Sequence, residues 1–286
     1  MNLFSILLKS KTTSMKHLNW FIIFISILLA STHFSIAQVK LSSWNIRHLG
    51  KSKSEQEIVF MAKTLRDYDV VALQEVVAGN GGAQAVARLA DELNRTGFKW
   101  QYVVSNPTQG GVYSSERYAY LWKPSRVRLK KKAWLDIDCI EEFEREPYFI
   151  TFEYEAKSFT LINIHAIPKS KQPETELKYL KFYPKFYTEE RFIFLGDFNL
   201  SESHTVFNPI KSMGFIPALV NQKTSLKMKC KNRDCLASEY DNIFLDSRLF
   251  RTLESGVHLF YESFPDLKSA RTISDHIPVW TKFDFK

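Results

Sequence analysis

The chain has 286 residues, of which 45% are hydrophobic and 14% aromatic, and its formal net charge at neutral pH is +8. This length and apolar content are ample for one large core, which excludes a chain too polar to fold by itself. No repeat, low-complexity tract or long linker interrupts the sequence after the first 37 residues, so one folded domain is expected.

The first 37 residues have the pattern of a secretory signal peptide. Three lysines precede an apolar run from Trp20 to Ala30, and small residues follow at 35–37. The apolar core is too short for a membrane anchor, which needs about 20 residues. We therefore expect residues 1–37 to be removed and residues 38–286 to form the mature domain. Because three of the 39 basic residues lie in this leader, the mature charge is +5.

Short apolar, β-prone segments recur along the mature chain and predict many strands. In chain order the predicted strands cover residues 39–44, 70–74, 101–105, 118–123, 148–154, 158–165, 191–195, 240–245 and 277–283. A less clear β-prone run covers residues 270–273. Residues 126–132 alternate as an edge strand with exposed charges does.

Helical periodicity is found in segments that lie between these strands. The predicted helices cover residues 55–68, 82–95 and 174–187. In the first, Ile58, Met61 and Leu65 share one face, as expected of a helix that packs on a core. Strands and helices mixed in this way predict two packed sheets with helices outside them.

Five polar motifs follow β-prone runs at the point where each strand is expected to end. They are Trp44-Asn45, Gln74-Glu75, Ile164-His165, Gly196-Asp197-Phe198-Asn199 and Ser274-Asp275-His276. Strands are rigid supports, so polar side chains at their ends converge above a sheet edge. Mg²⁺ takes oxygen ligands, and imidazoles beside it can move protons or bind a phosphoryl oxygen. The combination predicts a metal site that acts on phosphate.

The most specific of these motifs is the one from Gly196 to Asn199. Gly196 permits a close backbone approach. Asp197 and Asn199 lie two residues apart, so in an extended segment they point to the same side. For this motif taken alone, an Asx turn that closes a strand is the alternative interpretation.

Together the motifs resemble the endonuclease/exonuclease/phosphatase superfamily and, within it, the secreted deoxyribonuclease I branch. The segments that carry the branch-level similarity are Leu41 to Arg47, Tyr102 to Pro107, Glu116-Arg117-Tyr118, Arg145-Glu146-Pro147 and Tyr240 to Ile243. The similarity runs from about Val39 to the C-terminus. It implies an α/β fold, namely a four-layer α/β/β/α sandwich of two packed, mainly antiparallel sheets with internally similar halves.

The resemblance also implies a divalent-metal site built on Glu75. Asp275 and Asn45 complete or brace this site, with Mg²⁺ as the expected ion and Mn²⁺ as the alternative. A buried salt bridge is the competing interpretation of Glu75.

Two histidine–carboxylate pairs are implied, His165 with Glu116 and His276 with Asp241. A carboxylate beside an imidazole fixes its tautomer and raises its pKa. One histidine then protonates the departing 3′ oxygen while the other acts at the phosphate, and the sequence leaves open which does which.

Two further residues of the site have roles carried over from related enzymes. Asp197 orients the attacking water, with metal ligation as its competing role. Asn199, together with Asn45, donates to phosphate oxygens.

The DNA-facing residues implied by the resemblance are Arg47 and Arg145, near the cleaved bond. The family also places an arginine directly after its Gln-Glu-Val, where this chain has Val77, which puts a preference for duplex DNA in question. Backbone contacts carry no base information, so low sequence specificity is expected. The family's calcium loop corresponds to residues 220–236, whose lysines make a poor site for structural Ca²⁺.

The cysteines bear on the compartment of the protein, since secretion permits disulfides. Cys230 and Cys235 bracket a polar loop and are predicted to pair with each other. Cys139 is left over and is either buried or free.

Two alternative functions remain open. A secreted, sphingomyelinase-like lipid phosphodiesterase would share most of the site, although the segments around Arg117 and Glu146 favour a nuclease. A binding module that kept the fold is disfavoured, because every carboxylate and histidine of the site is present. The expected protein is thus a secreted or periplasmic monomer that acts on DNA and has no stable membrane anchor.

Overall fold

Residues 38–111, 114–138, 141–188 and 190–286 are described by the computed structural model. The predicted signal peptide and Cys139 therefore lie outside the described residues. None of the helices in the described ranges is long and apolar enough to cross a bilayer.

The first six-stranded sheet carries the N- and C-terminal parts of the domain. Its strands, in spatial order, are β13 (Phe250–Val257), β14 (Val279–Phe285), β1 (Val39–Leu49), β2 (Val70–Val77), β4 (Glu116–Trp122) and β3 (Gln101–Val104). β1 and β2 are parallel, and the other neighbours are antiparallel.

The second six-stranded sheet repeats this pattern. Its spatial order is β5 (Arg128–Leu135), β6 (Tyr148–Tyr154), β7 (Lys157–His165), β8 (Phe192–Asp197), β12 (Asp241–Asp246) and β9 (Phe215–Pro217). Here β7 and β8 are the parallel pair, and the other neighbours are antiparallel. A separate hairpin is formed by β10 (Leu226–Lys231) and β11 (Asp234–Leu236).

Six α-helices lie among the strands. They are α1 (Glu55–Leu65), α2 (Asn80–Asn94), α3 (Glu174–Leu177), α4 (Tyr183–Phe186), α5 (Asn208–Ser212) and α6 (Leu267–Ile273), among the described residues. Short 3₁₀ helices cover Lys169–Lys171, Lys178–Phe182, Thr205–Phe207 and Phe260–Ser263. The helix α1 begins at a capping box in which Ser54 and Glu57 satisfy each other's backbone N–H.

Three apolar clusters account for the four layers. The middle cluster lies between the sheets and includes Phe152, Leu161 and Phe283. One outer cluster packs α1, α2 and α6 on the first sheet, and the other packs α3, α4 and α5 on the second. The predicted four-layer α/β/β/α sandwich of mainly antiparallel sheets is confirmed.

A polar bridge crosses the buried space between the sheets. The Gln74 amide donates to Asn163 Oδ1 at 2.6 Å, and the Asn163 amide donates to the carbonyl of Leu73 at 3.0 Å. Because buried amides are costly without partners, these bonds fix how the two sheets face each other at this level.

Two predicted elements differ from the structure. Residues 270–273 are not a strand but the end of α6, because Leu267, Ala270 and Ile273 recur at helical spacing and are buried together. The predicted helix over residues 174–187 is broken into α3, a 3₁₀ turn and α4. Pro184, at the start of α4, lacks an N–H and prevents a continuous α-helix. The edge strand predicted over residues 126–132 is confirmed as β5, with its lysines exposed.

Candidate active site

Asn45 connects carboxylates that come from different sheets. It lies in β1 opposite Gln74 of the parallel strand β2. Glu75 is the next residue of β2, at a point where the pairing of β2 with both of its neighbours becomes irregular. The Asn45 amide donates to Glu75 Oε1 at 3.0 Å and to Asp197 Oδ2 at 3.1 Å. Glu75 has a left-handed backbone (φ +59°), a conformation that non-glycine residues seldom adopt and that is often found at functional sites. The backbone N–H of Glu75 donates to Glu116 Oε1 at 3.2 Å.

The second sheet supplies His165 and Asp197, which are directly opposite each other in the parallel pair β7–β8. This register requires a glycine before Asp197. Gly196 has φ +139°, and a Cβ there would lie 1.9 Å from the carbonyl oxygen of Ile164. The Asx turn considered for this motif also exists, since the Asn199 N–H donates to Asp197 Oδ1 at 2.9 Å. The turn leaves Asp197 Oδ2 facing the site.

Both predicted histidine–carboxylate pairs are present in the structure. His165 Nδ1 is 2.8 Å from Glu116 Oε2, and His276 Nδ1 is 2.7 Å from Asp241 Oδ2. The Nε2 atom of each ring is 3.6 Å from the same oxygen, Asp197 Oδ2. That distance exceeds a hydrogen bond. Both Nε2 atoms are therefore available to an outside acceptor placed above Asp197.

The electrostatics of this cluster favour two charged imidazoles around a charged Asp197. Burial works against the imidazolium of His276, but the negative charges of Asp241 and Asp197 outweigh it and raise its pKa to about 10. Burial likewise opposes the imidazolium of His165, and the charge of Glu116 outweighs it and raises its pKa.

The carboxylates respond in opposite directions. Burial would raise the pKa of Asp197, but the two histidines overcome it and the pKa is lowered. For Asp241 burial prevails over the nearby His276, and the pKa is raised. Negative and positive groups thus alternate from Glu116 through Asp197 to Asp241.

Asp275 lies two residues after the end of α6 and is held by arginines rather than by the other predicted metal ligands. Its Oδ2 is 3.1 Å from Arg271 Nη2 and 3.6 Å from Arg47 Nη1. The Arg47 side chain is 41% exposed, so it remains accessible to a substrate. No contact between Asp275 and Glu75 is found among the described residues.

The cleft beside His165 has a volume of about 460 Å³ and is also lined by Glu75, Glu116, Val77 and Arg145. Arg145 is buried, and its guanidinium donates to the carbonyls of His165 and Ala166 at 2.9 and 2.7 Å. In the structure Arg145 supports the backbone behind His165, and its contact with a substrate stays a prediction. Asn199 is half-buried, and its amide donates to the Ala166 carbonyl at 3.0 Å.

The donor set fits a divalent cation at Glu75. Asn45 Oδ1 is buried and has no hydrogen-bond partner in the described part of the chain. The neighbouring Glu75 side chain is 22% exposed. An orphaned amide oxygen beside an accessible carboxylate is suited to a hard cation such as Mg²⁺. Asp197, Asp241 and His276 also cluster, with ligand atoms within 4.8 Å of one another. However, the proton held by His276 competes with a metal there.

Several residues that support the site were not predicted from the sequence. Thr224 donates to Asp241 Oδ2 at 2.7 Å, and the Ser274 hydroxyl donates to the Asn45 carbonyl at 2.6 Å. The buried ammonium of Lys53 donates to the carbonyls of Thr272 and Ile273, just before Asp275. No local pattern marks these residues, because their partners are far away in the sequence.

Comparison with known proteins identifies the family. The model of the Endonuclease/Exonuclease/phosphatase family matches residues 42–276. The chain belongs to this family. Its members generally depend on a divalent metal, in agreement with the donor set at Glu75. A deoxyribonuclease of Thioalkalivibrio sp. strain K90mix is 27% identical over 285 residues, covering 92% of this chain and 75% of that protein. Mouse deoxyribonuclease-1 is 28% identical, covering 84% of this chain and 90% of that protein.

Solved structures support the fold assignment. D. rerio TDP2 in complex with a single-strand DNA product has a TM-score of 0.61 at 17% identity, covering 87% of this chain and 99% of that one. A mannosyl-6-phosphatase of Bacteroides thetaiotaomicron has a TM-score of 0.61 at 16% identity, with the same coverage of 87% and 99%. At this identity the likeness concerns the architecture, which serves both kinds of enzyme.

Proposed function

We propose that this family member is a metal-dependent endonuclease that hydrolyses DNA phosphodiester bonds with low sequence specificity. The observation that carries the proposal is the convergence of two carboxylate-paired histidines on Asp197 Oδ2, next to the Asn45–Glu75 contact. The relatives named deoxyribonucleases support DNA as the substrate. The low specificity follows from recognition of backbone phosphates.

A phosphodiester carries negative charge and releases an alkoxide, so the site must stabilise charge, orient a water and supply a proton. Asp197 is ionised and accepts a proton from the attacking water. One imidazolium protonates the departing 3′ oxygen through Nε2, and the other donates to a non-bridging phosphoryl oxygen. The Asn199 amide, which uses one of its two N–H groups on the Ala166 carbonyl, donates the other to the phosphate, and the exposed Arg47 contacts the phosphate near the cleaved bond. The phosphate contact predicted for Asn45 does not fit the geometry, because both of its amide hydrogens are donated to Glu75 and Asp197.

The expected metal is Mg²⁺, with Mn²⁺ as an alternative. Glu75 and the side-chain oxygen of Asn45 would hold it, and it would neutralise charge on the phosphate. Asp275 would brace the site through Arg47 and Arg271, which it contacts, rather than bind the ion together with Glu75. We further propose that residues 1–37 direct export to the periplasm or the medium and that the mature domain acts as a monomer.

The proposal is tested by nicking of supercoiled plasmid with Mg²⁺. We expect the purified protein to nick the plasmid, and EDTA or the substitution His165→Ala to abolish nicking. His258→Ala is the matched control, because His258 is exposed and does not contact the residues of the site. Sphingomyelin replaces DNA in a parallel reaction. Release of phosphocholine without plasmid nicking would refute the nuclease and support the lipid phosphodiesterase.

A further inference from the structure

The hairpin of β10 and β11, residues 226–236, is called here the basic arm. Its two strands are joined by a two-residue turn, Asn232-Arg233, in which both residues have positive φ, +51° and +66°. Turns of this kind match the twist of antiparallel strands and favour asparagine at the first position. The turn therefore presents the Arg233 side chain at the tip of the basic arm.

The basic arm is held together by the predicted disulfide. Cys230 and Cys235 are bonded across the two strands, immediately before Lys231 and after Asp234, which are paired. A two-stranded hairpin is marginally stable in water without such help. The disulfide therefore stabilises a hairpin that has too few apolar residues to be stable by packing alone.

The basic arm carries an excess of positive charge. Its only acid among the described residues, Asp234, is already paired with Lys227 at 2.7 Å and with Lys223 at 3.3 Å. Lys229, Lys231 and Arg233 are exposed and have no acidic partner in the described ranges. Lys229, Lys231 and Arg233 lie within five consecutive residues at the turn end of the basic arm.

The base of the basic arm is attached to the catalytic centre. The Leu226 N–H donates to the Asp275 carbonyl at 2.7 Å, and Ser225 forms an antiparallel bridge with His276. Arg271, which also holds the Asp275 carboxylate, donates to the Leu226 carbonyl at 2.8 Å. From this base, five steps of about 3.3 Å carry β10 about 17 Å to its end at Lys231.

We propose that the basic arm binds DNA phosphates outside the cleaved bond, an inference that rests on the proposed nuclease function. Three unpaired cations on a rigid hairpin, fixed beside residues that act on phosphate, match a polyanion that extends beyond the cleft. An anionic membrane is the weaker match. Surface-bound elements bury large apolar side chains, and the arm exposes only Met228 among its described large apolar residues.

The test is the salt dependence of DNA binding, measured by fluorescence anisotropy with a labelled 30-base-pair duplex in EDTA. Each phosphate contact contributes about 0.9 to the slope of log K against log salt concentration. The triple variant Lys229→Gln/Lys231→Gln/Arg233→Gln should therefore lower the slope by up to about 2.7. It should also weaken binding by about tenfold or more at 100 mM NaCl. The matched control is Lys63→Gln/Lys99→Gln/Lys132→Gln, which removes three exposed lysines outside the arm.

A failure of the proposal for the basic arm can be distinguished from a failure of the proposed nuclease function. If the slope of log K against log salt concentration fell equally in the control variant, the effect would be due to the total charge of the protein, and the proposed role of the basic arm would be wrong. An unchanged slope in the arm variant, with wild-type protein that binds DNA and nicks plasmid, would also overturn it and leave the nuclease intact. Wild-type protein that neither binds nor nicks DNA would refute both. Loss of binding to phosphatidylserine vesicles in the arm variant, with DNA binding unchanged, would reassign the arm to membranes.

Discussion

Replacing Asp241 by asparagine removes the charge of this side chain and nearly preserves its shape. Asp241 is buried at the start of β12, where it accepts from Thr224 and pairs with His276. A pKa of about 10 for His276, against an ordinary 6.5, means that its surroundings favour the imidazolium by about 5 kcal/mol. This contribution to folding stability is complete below pH 6.5 and is lost as the pH rises through about 10.

In Asp241→Asn, burial still lowers the pKa of His276, and only Asp197 and Asp275 remain to raise it. This pKa should therefore fall well below its wild-type value of about 10. The basic limb of the profile of kcat/KM against pH should therefore move to lower pH than in the wild type. At pH 8 the rate of plasmid nicking should drop about 100-fold or more.

The matched control is Asp246→Asn, at the other end of the same strand, where the partner is Arg248. It should leave the basic limb in place. A profile for Asp241→Asn that retains the wild-type basic limb, with nicking within about threefold of wild type, would refute the assigned pairing.

Two further predictions concern stability. Gly196→Ala forces a Cβ against the Ile164 carbonyl at a backbone conformation that side chains rarely adopt. Urea unfolding should therefore show that the free energy of unfolding is lower than in the wild type by about 3 kcal/mol or more. The control Gly79→Ala, which has open space around it, should have a free energy of unfolding within about 1 kcal/mol of the wild type. Burial lowers the pKa of Lys53 to about 8, so the folded state releases this proton before the unfolded state does. Between pH 8 and 10.5, the free energy of unfolding of wild type relative to Lys53→Met should rise by up to about 1.4 kcal/mol per pH unit; a flat or falling difference would contradict this.

The sequence was sufficient to predict that Asn45, Glu75, His165 and Asp197 lie near one another, because each belongs to a β-prone run. It did not predict that Asp275 lies against arginines instead of joining Glu75. Parallel neighbours bring their carboxyl ends to one sheet edge, which is why Asn45 and Glu75, or His165 and Asp197, lie together. The two histidine–carboxylate pairs, which the family resemblance implied, are present as expected.

Other features of the site could not be predicted, because they depend on contacts between residues that are far apart in the sequence. Lys53 reaches carbonyls about 220 residues away, and Thr224 belongs to a lysine-rich stretch with no catalytic pattern. Residues 270–273 were misread as a strand because four residues are too few to separate helical from extended periodicity. The arginine contacts of Asp275 likewise follow from tertiary packing.

The catalytic centre is assembled across the interface between the two sheets, with Asn45 from one and Asp197 from the other. A slide of one sheet over the other by about an ångström would break the 3.1 Å bond between them and misplace both histidines, although every strand would remain paired within its own sheet. Gln74 and Asn163 oppose such a slide from within the core. Enzymatic activity is therefore a sensitive measure of how the two sheets are aligned. On gentle heating, enzymatic turnover should fail while the circular dichroism of the strands is still intact.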